Sequence, residues 1–145
     1  MKLDFLLVVS GAGFLATYFH MVFALTADRV GMVKLDFGKG LSMLLFAEPY
    51  GGNPPYILGL ISVHLNGIIF ALVYATLVGP ELPGAPVVRG LIFGGLLLIF
   101  SLCVFNPLIT KHGFFALKMN PRAWQTAVVA HVIYGAMLGW LSPIL

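Results

Sequence analysis

Charged residues are scarce in this chain, and no acidic residue falls inside a long apolar stretch. Only 9% of its 145 residues are charged and 60% are hydrophobic, whereas soluble proteins have about 25% charged residues. A chain of this composition has lipid rather than water as its solvent, and at this length it forms one domain, residues 1–145. We therefore predict an all-α polytopic membrane protein without a separate soluble domain.

Cysteine and catalytic motifs are also scarce. Cys103 is the single cysteine, so the chain contains neither an internal disulfide nor a CxxC site. It has no GxSxG motif, no HExxH motif and no glycine loop for phosphate. The net charge of +3 comes from basic residues spread between the apolar stretches, which argues against nucleic-acid binding. We predict a protein that is not an enzyme, with no catalytic residues and no dedicated metal ligands.

Four uncharged apolar stretches have the length of about 20 residues that a membrane-spanning helix needs. They are Phe5–Leu25, Tyr56–Val78, Gly90–Thr110 and Ala123–Leu141. We predict a four-transmembrane-helix bundle, with a short interfacial helix, capped by Asp36, between the first and second spans. The turn at residues 79–86 is rich in Pro and Gly, so we expect the second and third spans to be antiparallel neighbours.

Basic residues are divided unevenly between the two ends of the predicted spans. Lys2 and Arg89 lie at one end, and the other end has six: Arg29, Lys34, Lys39, Lys111, Lys118 and Arg122. Connections rich in Lys and Arg stay in the cytoplasm. This bias predicts a multi-pass protein of a bacterial inner membrane, either the ordinary cytoplasmic or a photosynthetic one, with both termini in the periplasm.

Three histidines, His20, His64 and His131, lie inside the predicted spans, roughly 8 to 12 Å from their cytoplasmic ends. Ionisable residues inside a membrane face the protein interior and have a partner or a function. Small residues three or four positions away on the same faces predict that all three point inward. Other polar residues near this layer are Asn66, Asn106 and Tyr134. These six residues are the candidate site.

The histidine layer has more than one interpretation. Each imidazole could form a hydrogen bond between helices and specify their packing. Alternatively, the layer could bind haem, a chlorophyll-type pigment or a metal, because a neutral imidazole nitrogen is a ligand for all three. A third interpretation is a path for protons or solutes. The absence of Asp and Glu from every span argues against that path.

These observations predict a non-catalytic accessory subunit of a larger photosynthetic or respiratory membrane complex. Such a subunit packs against larger integral membrane subunits and against membrane lipids or pigments. The missing catalytic motifs and the small-residue helix faces support this interpretation. The alternatives are a small transporter or channel with a histidine-lined path, and a haem-, pigment- or metal-binding membrane protein.

Several short motifs carry a resemblance to known sequences. They are His64–Ala75 on the second span, Asn106–Leu108 leading to Gly113–Phe115 at the end of the third, His131–Gly135 on the fourth, and Lys34–Lys39 in the first connection. Together they resemble a loose group of uncharacterised bacterial four-helix inner-membrane proteins. The resemblance covers most of the chain and implies the four-helix fold. It implies no activity, cofactor or site residue.

Overall fold

Five α-helices dominate the structure, a computed structural model that describes residues 2–145. They are α1 (Leu3–Thr26), α2 (Phe37–Phe46), α3 (Tyr56–Val73), α4 (Pro86–Phe100) and α5 (Ala123–Leu141). Wider π-helical turns extend α3 through Tyr74–Val78 and α4 through Ser101–Ile109. No strand occurs among residues 2–145, so the all-α prediction is confirmed for that part of the chain.

Three helical stretches are long and apolar enough to cross a membrane. They are Leu3–Val30, Tyr56–Glu81 and Pro86–Ile109, and they correspond to the first three predicted spans. The helix predicted at Ala123–Leu141 forms with those bounds as α5. Its composition is less apolar, because Gln125, His131 and Tyr134 lie on it, and it is not one of the three. The chain therefore has the helices of a membrane protein.

The helix α2 is the short helix predicted between the first two spans. The Asp36 side chain accepts a hydrogen bond of 2.8 Å from the backbone N–H of Lys39, which satisfies a free donor of the first turn. The Ser42 hydroxyl donates to the carbonyl of Pro55 at 3.2 Å, and Gly38 lies against the ring of Tyr56. These contacts pack α2 on the start of α3.

Helices α1 and α5 are the central pair of the structure. Helix α3 packs on α1, and α4 packs on α5. We expected α3 and α4 to be antiparallel neighbours, but they meet mainly near their connecting turn, where the rings of Tyr74 and Phe93 lie 5.3 Å apart. Along the rest of their length α3 and α4 are not the neighbours that we had expected, because their small-residue faces are both turned toward the central pair.

Small residues bring the helix backbones close together. An added Cβ at Gly94 on α4 would lie 2.6 Å from the carbonyl oxygen of His131 on α5, and one at Gly13 on α1 would lie 2.6 Å from the Cβ of Ala71 on α3. Close backbone approach at such faces is the usual basis of helix packing in lipid. The predicted small-residue faces are thus confirmed as helix contacts.

Buried side chains form two clusters, one at each end of the structure. The cluster near the termini contains Val9, Ala12, Tyr74, Phe93 and Leu138, among others. The opposite cluster contains Ala24, Leu35, Leu102, Ala116 and Ala127, among others. There Thr126 donates from its hydroxyl to the carbonyl of Val33 at 2.7 Å, which holds the first connection on α5. In sequence, His20 and His131 fall between the two clusters.

Candidate functional site: two histidine groups

The structure divides the three predicted histidines into two groups. The rings of His20 and His131 meet edge to face, with their centroids 5.4 Å apart. The ring of His64 instead lies against Phe14, at 4.6 Å. Because Phe14 and His20 are six residues apart on α1, they point roughly 120° apart around the helix. The structure therefore brings His20 and His131 together and places His64 on another face.

The first group, on α1, α2 and α5, is aromatic. Phe37, the first residue of α2, stacks on His20 with 4.8 Å between the ring centroids, and Tyr134 lies edge-on to His20 at 6.3 Å. The hydroxyl of Tyr134 donates to the carbonyl of Gly67 at 2.8 Å and so links α5 to α3. This group joins three of the long helices and holds α2 against them.

Within this group His131 forms its hydrogen bond inside its own helix. Its Nδ1 lies 2.8 Å from the carbonyl oxygen of Ala127, four residues earlier. A carbonyl oxygen can only accept, so Nδ1 donates its hydrogen and Nε2 retains a lone pair. At this level the hydrogen bond between helices is formed by Tyr134, which was predicted only as a supporting residue.

The second group contains His64, which lies in the wall of a surface groove between α1 and α3. The groove has a volume of about 350 Å³ and is lined by Phe14, Ile57, Leu60, Ile61, His64, Leu65 and Ile68. The Nδ1 atom of His64 lies 2.9 Å from the carbonyl oxygen of Leu60. Its Nε2 atom is buried and has no hydrogen-bond partner, and within residues 2–145 it is the only buried side-chain nitrogen or oxygen in that state.

The other two predicted site residues lie apart from the histidines. Asn66 is exposed on α3. The backbone and side-chain oxygens of Asn106, in the π-helical extension of α4, both accept from the hydroxyl of Thr110, at 3.1 and 3.3 Å. Asn106 therefore stabilises the end of this extension.

Sequence reasoning missed the aromatic partners of the histidines. Phe14 covers His64 and Phe37 covers His20, yet both look like ordinary apolar residues in the sequence. The position of Phe37 was indicated by one feature of the sequence, because Phe37 directly follows the capping residue Asp36. For Phe14 there was no such indication, since its contact with α3 depends on how α1 is rotated.

The described side chains provide single potential ligands rather than a site with several metal ligands. In residues 2–145, no three His, Cys, Asp or Glu side chains come close enough to hold one metal ion. An axial bond to haem or to a chlorophyll-type pigment needs only one imidazole nitrogen. The lone pair of His64 Nε2 has the chemistry for that role.

The chain was compared with protein-family models, with curated proteins and with solved structures, and none of them matched.

Proposed function

We propose that this chain is a non-catalytic, four-span subunit of a larger bacterial inner-membrane complex, and that it binds a partner subunit through the groove between α1 and α3. The observation that carries this proposal is the unpartnered Nε2 of His64. In the neutral ring Nδ1 donates to the carbonyl of Leu60, and Nε2 keeps a lone pair that is covered in this structure. Once uncovered, that lone pair can accept a hydrogen bond or bind a metal centre.

Lipid cannot satisfy this lone pair. The other six residues that line the groove are apolar, and acyl chains carry no donors. A buried acceptor without a partner costs about 1 to 3 kcal/mol. A transmembrane helix with an O–H or N–H donor would remove this cost, provided that the Phe14 side chain, which is 47% exposed, turns aside to admit the donor.

The shape of the groove also favours a helix as the occupant. Ile57, Ile61 and Leu65 follow one another at intervals of four residues along α3, and each is at least half exposed. Residues four apart form a ridge on a helix surface, against which a second helix packs. The donor of the partner would then reach His64 from a neighbouring turn.

In this proposal α5 is the fourth membrane-spanning helix. Its 19 residues extend about 28 Å, close to the roughly 30 Å of a bilayer's hydrocarbon core. Trp124 and Trp140 are exposed near its two ends, where aromatic belts lie at the two interfaces. With four spans, both termini lie on one side, which the basic residues predict to be the periplasm.

In a second candidate function, Nε2 of His64 is the axial ligand of a haem or a chlorophyll-type pigment. A donor bond from the other ring nitrogen orients such ligands and raises their basicity, and the Nδ1 bond to Leu60 has this role. The pigment would then lie against the apolar wall of α1 and α3, in place of a partner side chain.

The test is purification of the tagged full chain from native membranes in mild detergent, followed by native gel electrophoresis and an optical spectrum. We expect wild type to run in a large assembly. His64→Leu and Ile61→Trp should release the free chain, whereas Ile99→Trp, a matched change on an exposed position of α4, should not.

The thermal stability of the free chain separates loss of binding from loss of folding. His64→Leu removes an unsatisfied buried nitrogen, so the isolated protein should be at least as stable as wild type. A wild-type chain that runs alone, or a His64→Leu chain that stays in the assembly, contradicts the partner proposal. Soret or pigment bands that disappear in His64→Leu would support the second candidate instead.

A further inference from the structure

A second groove lies on the opposite side of α2 from its contact with α3. One wall consists of Asp36 and one face of α2. The other wall is the segment that connects the π-helical extension of α4 to α5. The groove measures about 550 Å³ and is lined by Asp36, Lys39, Gly40, Met43, Leu44, Ile109, Thr110, His112 and Met119.

The groove is polar at one end and apolar at the other along α2. Asp36 and Lys39 lie at the N-terminal end of the helix, and Met43 and Leu44 lie one turn further on. Met43 is 43% exposed and Met119, on the opposite wall, is 47% exposed. The two walls thus offer partly exposed apolar side chains beside a charged end.

The polar end of the groove combines one carboxylate with one basic side chain. Asp36 is the single carboxylate in the lining, and its Oδ1 already accepts from the backbone N–H of Lys39 and the hydroxyl of Tyr56. The Lys39 side chain is exposed, and Lys111 directly precedes His112. The connections on this side hold six basic residues against three acidic ones, Asp28, Asp36 and Glu48, so an anion is favoured there.

The groove also lies at the level of the lipid headgroups. It adjoins Ile109, the last residue of the span Pro86–Ile109, and α2, which packs on the first turn of the span Tyr56–Glu81. The ends of membrane-spanning helices mark the border between hydrocarbon and headgroups. A molecule with an anionic head and an apolar tail matches both the level and the two ends of this groove.

We propose that the groove between α2 and the α4–α5 connection is a binding site for an anionic phospholipid. The phosphate lies near Lys39 and His112, and the acyl region lies against Met43, Leu44 and Met119. The site requires a membrane location but does not depend on partner binding at the groove between α1 and α3.

The test uses native mass spectrometry of the full chain in detergent doped with equal amounts of phosphatidylglycerol and phosphatidylcholine. We expect wild type to retain phosphatidylglycerol preferentially. Lys39→Gln should weaken that binding about fivefold, as expected for one basic residue near an anionic lipid, and Lys39→Arg should preserve it. Lys34→Gln is the matched control, because Lys34 is exposed on the same side but does not line the groove.

Three results would overturn the proposal. They are equal retention of the two lipids, an equal loss in Lys34→Gln and Lys39→Gln, and equally effective competition by glycerol 3-phosphate, which has the anion but no tail. Circular dichroism of each variant is the check that the fold is intact, so that a loss of lipid reports on the groove itself.

Discussion

Single side chains link the long helices of this protein by hydrogen bonds, and Tyr134 is the clearest case. It is almost fully buried, and its hydroxyl reaches from α5 to the carbonyl of Gly67 on α3. Thr17, by contrast, uses its hydroxyl within α1, donating to Gly13 at 2.8 Å. The same polar chemistry therefore connects two helices at one position and stays within one helix at another, according to which way each side chain points.

Replacing Tyr134 with Phe should lower the free energy of unfolding by about 0.6 kcal/mol, and by no more than about 1.7 kcal/mol, the range for such bonds in membranes. The aromatic ring and its packing are kept, so the change reports on the hydroxyl. The measurement is unfolding in mixed micelles followed by circular dichroism.

Tyr18→Phe is the control for that measurement, because Tyr18 is 49% exposed on α1. It should leave stability unchanged. An equal loss in Tyr18→Phe and Tyr134→Phe would show that the bond to Gly67 does not stabilise the fold.

At the level of whole helices, the contact between α4 and α5 is built from backbone rather than from large side chains. Gly90 and Gly94 on α4 face Gly135 and Gly139 on α5. Because each helix presents glycine to the other, there is no side chain that could move aside to accommodate a larger residue. This contact is therefore sensitive to the addition of one methyl group.

The change Gly90→Ala should destabilise the protein by about 1 to 3 kcal/mol, the usual cost of overpacking. Its Cβ would meet the carbonyl oxygen of Gly135 and lie 2.6 Å from the Cα of Gly139. Gly95→Ala, on the same helix, is the matched control, since its Cβ would have no atom within 4 Å apart from its chain neighbours and the nearby backbone of α4. Gly95→Ala should be neutral or stabilise the helix by up to about 1 kcal/mol.

Thermal unfolding of the two glycine variants in one detergent tests this prediction. The expected result is a lower midpoint for Gly90→Ala and an unchanged or higher one for Gly95→Ala. Equal midpoints would mean that α4 and α5 do not pack through these glycines.

Over the whole molecule, the number of spans decides the side on which each terminus lies. Helices α1, α3 and α4 belong to the three stretches that meet the length and composition of a span. If α5 also spans, Lys2 and Leu145 are on the same side of the membrane. If α5 stays on one side, they are on opposite sides.

We expect a membrane-impermeant maleimide to label Lys2→Cys and Leu145→Cys from the same side and Lys34→Cys from the other. Cys103 is the only cysteine, so the variants are made in a Cys103→Ser background. Right-side-out and inverted vesicles supply the two directions of labelling. Labelling of the two terminal cysteines from opposite sides would exclude α5 as a span.

The elements of the fold were largely predictable because their signals are local. Apolar length predicted the long helices, and Asp36 predicted the start of α2. The helix α4 begins at Pro86, one turn before the predicted Gly90, because proline at the first helical position needs no hydrogen-bonded N–H. The composition of α5 is intermediate, so helix formation was predictable there but membrane insertion remains a prediction.

The candidate site was only partly predictable. The histidines were visible in the sequence as polar residues inside apolar helices, but their division into two groups was not. His20 and His131 meet, and His64 faces another groove, because of the rotation of α1 and the order of the helices around it. Depth in the membrane follows from counting residues, whereas direction around the bundle does not.

The sequence by itself determined the all-α class, the positions of the helices, the small-residue faces and the scarcity of charge. Each of these depends on a residue and its near neighbours along the chain. Only the tertiary structure decided that α1 and α5 form the centre, that Tyr134 bonds to Gly67, and that His64 Nε2 is buried without a partner beside an apolar groove. These features arise from contacts between residues far apart in sequence, which depend on how glycine-rich faces fit together in three dimensions.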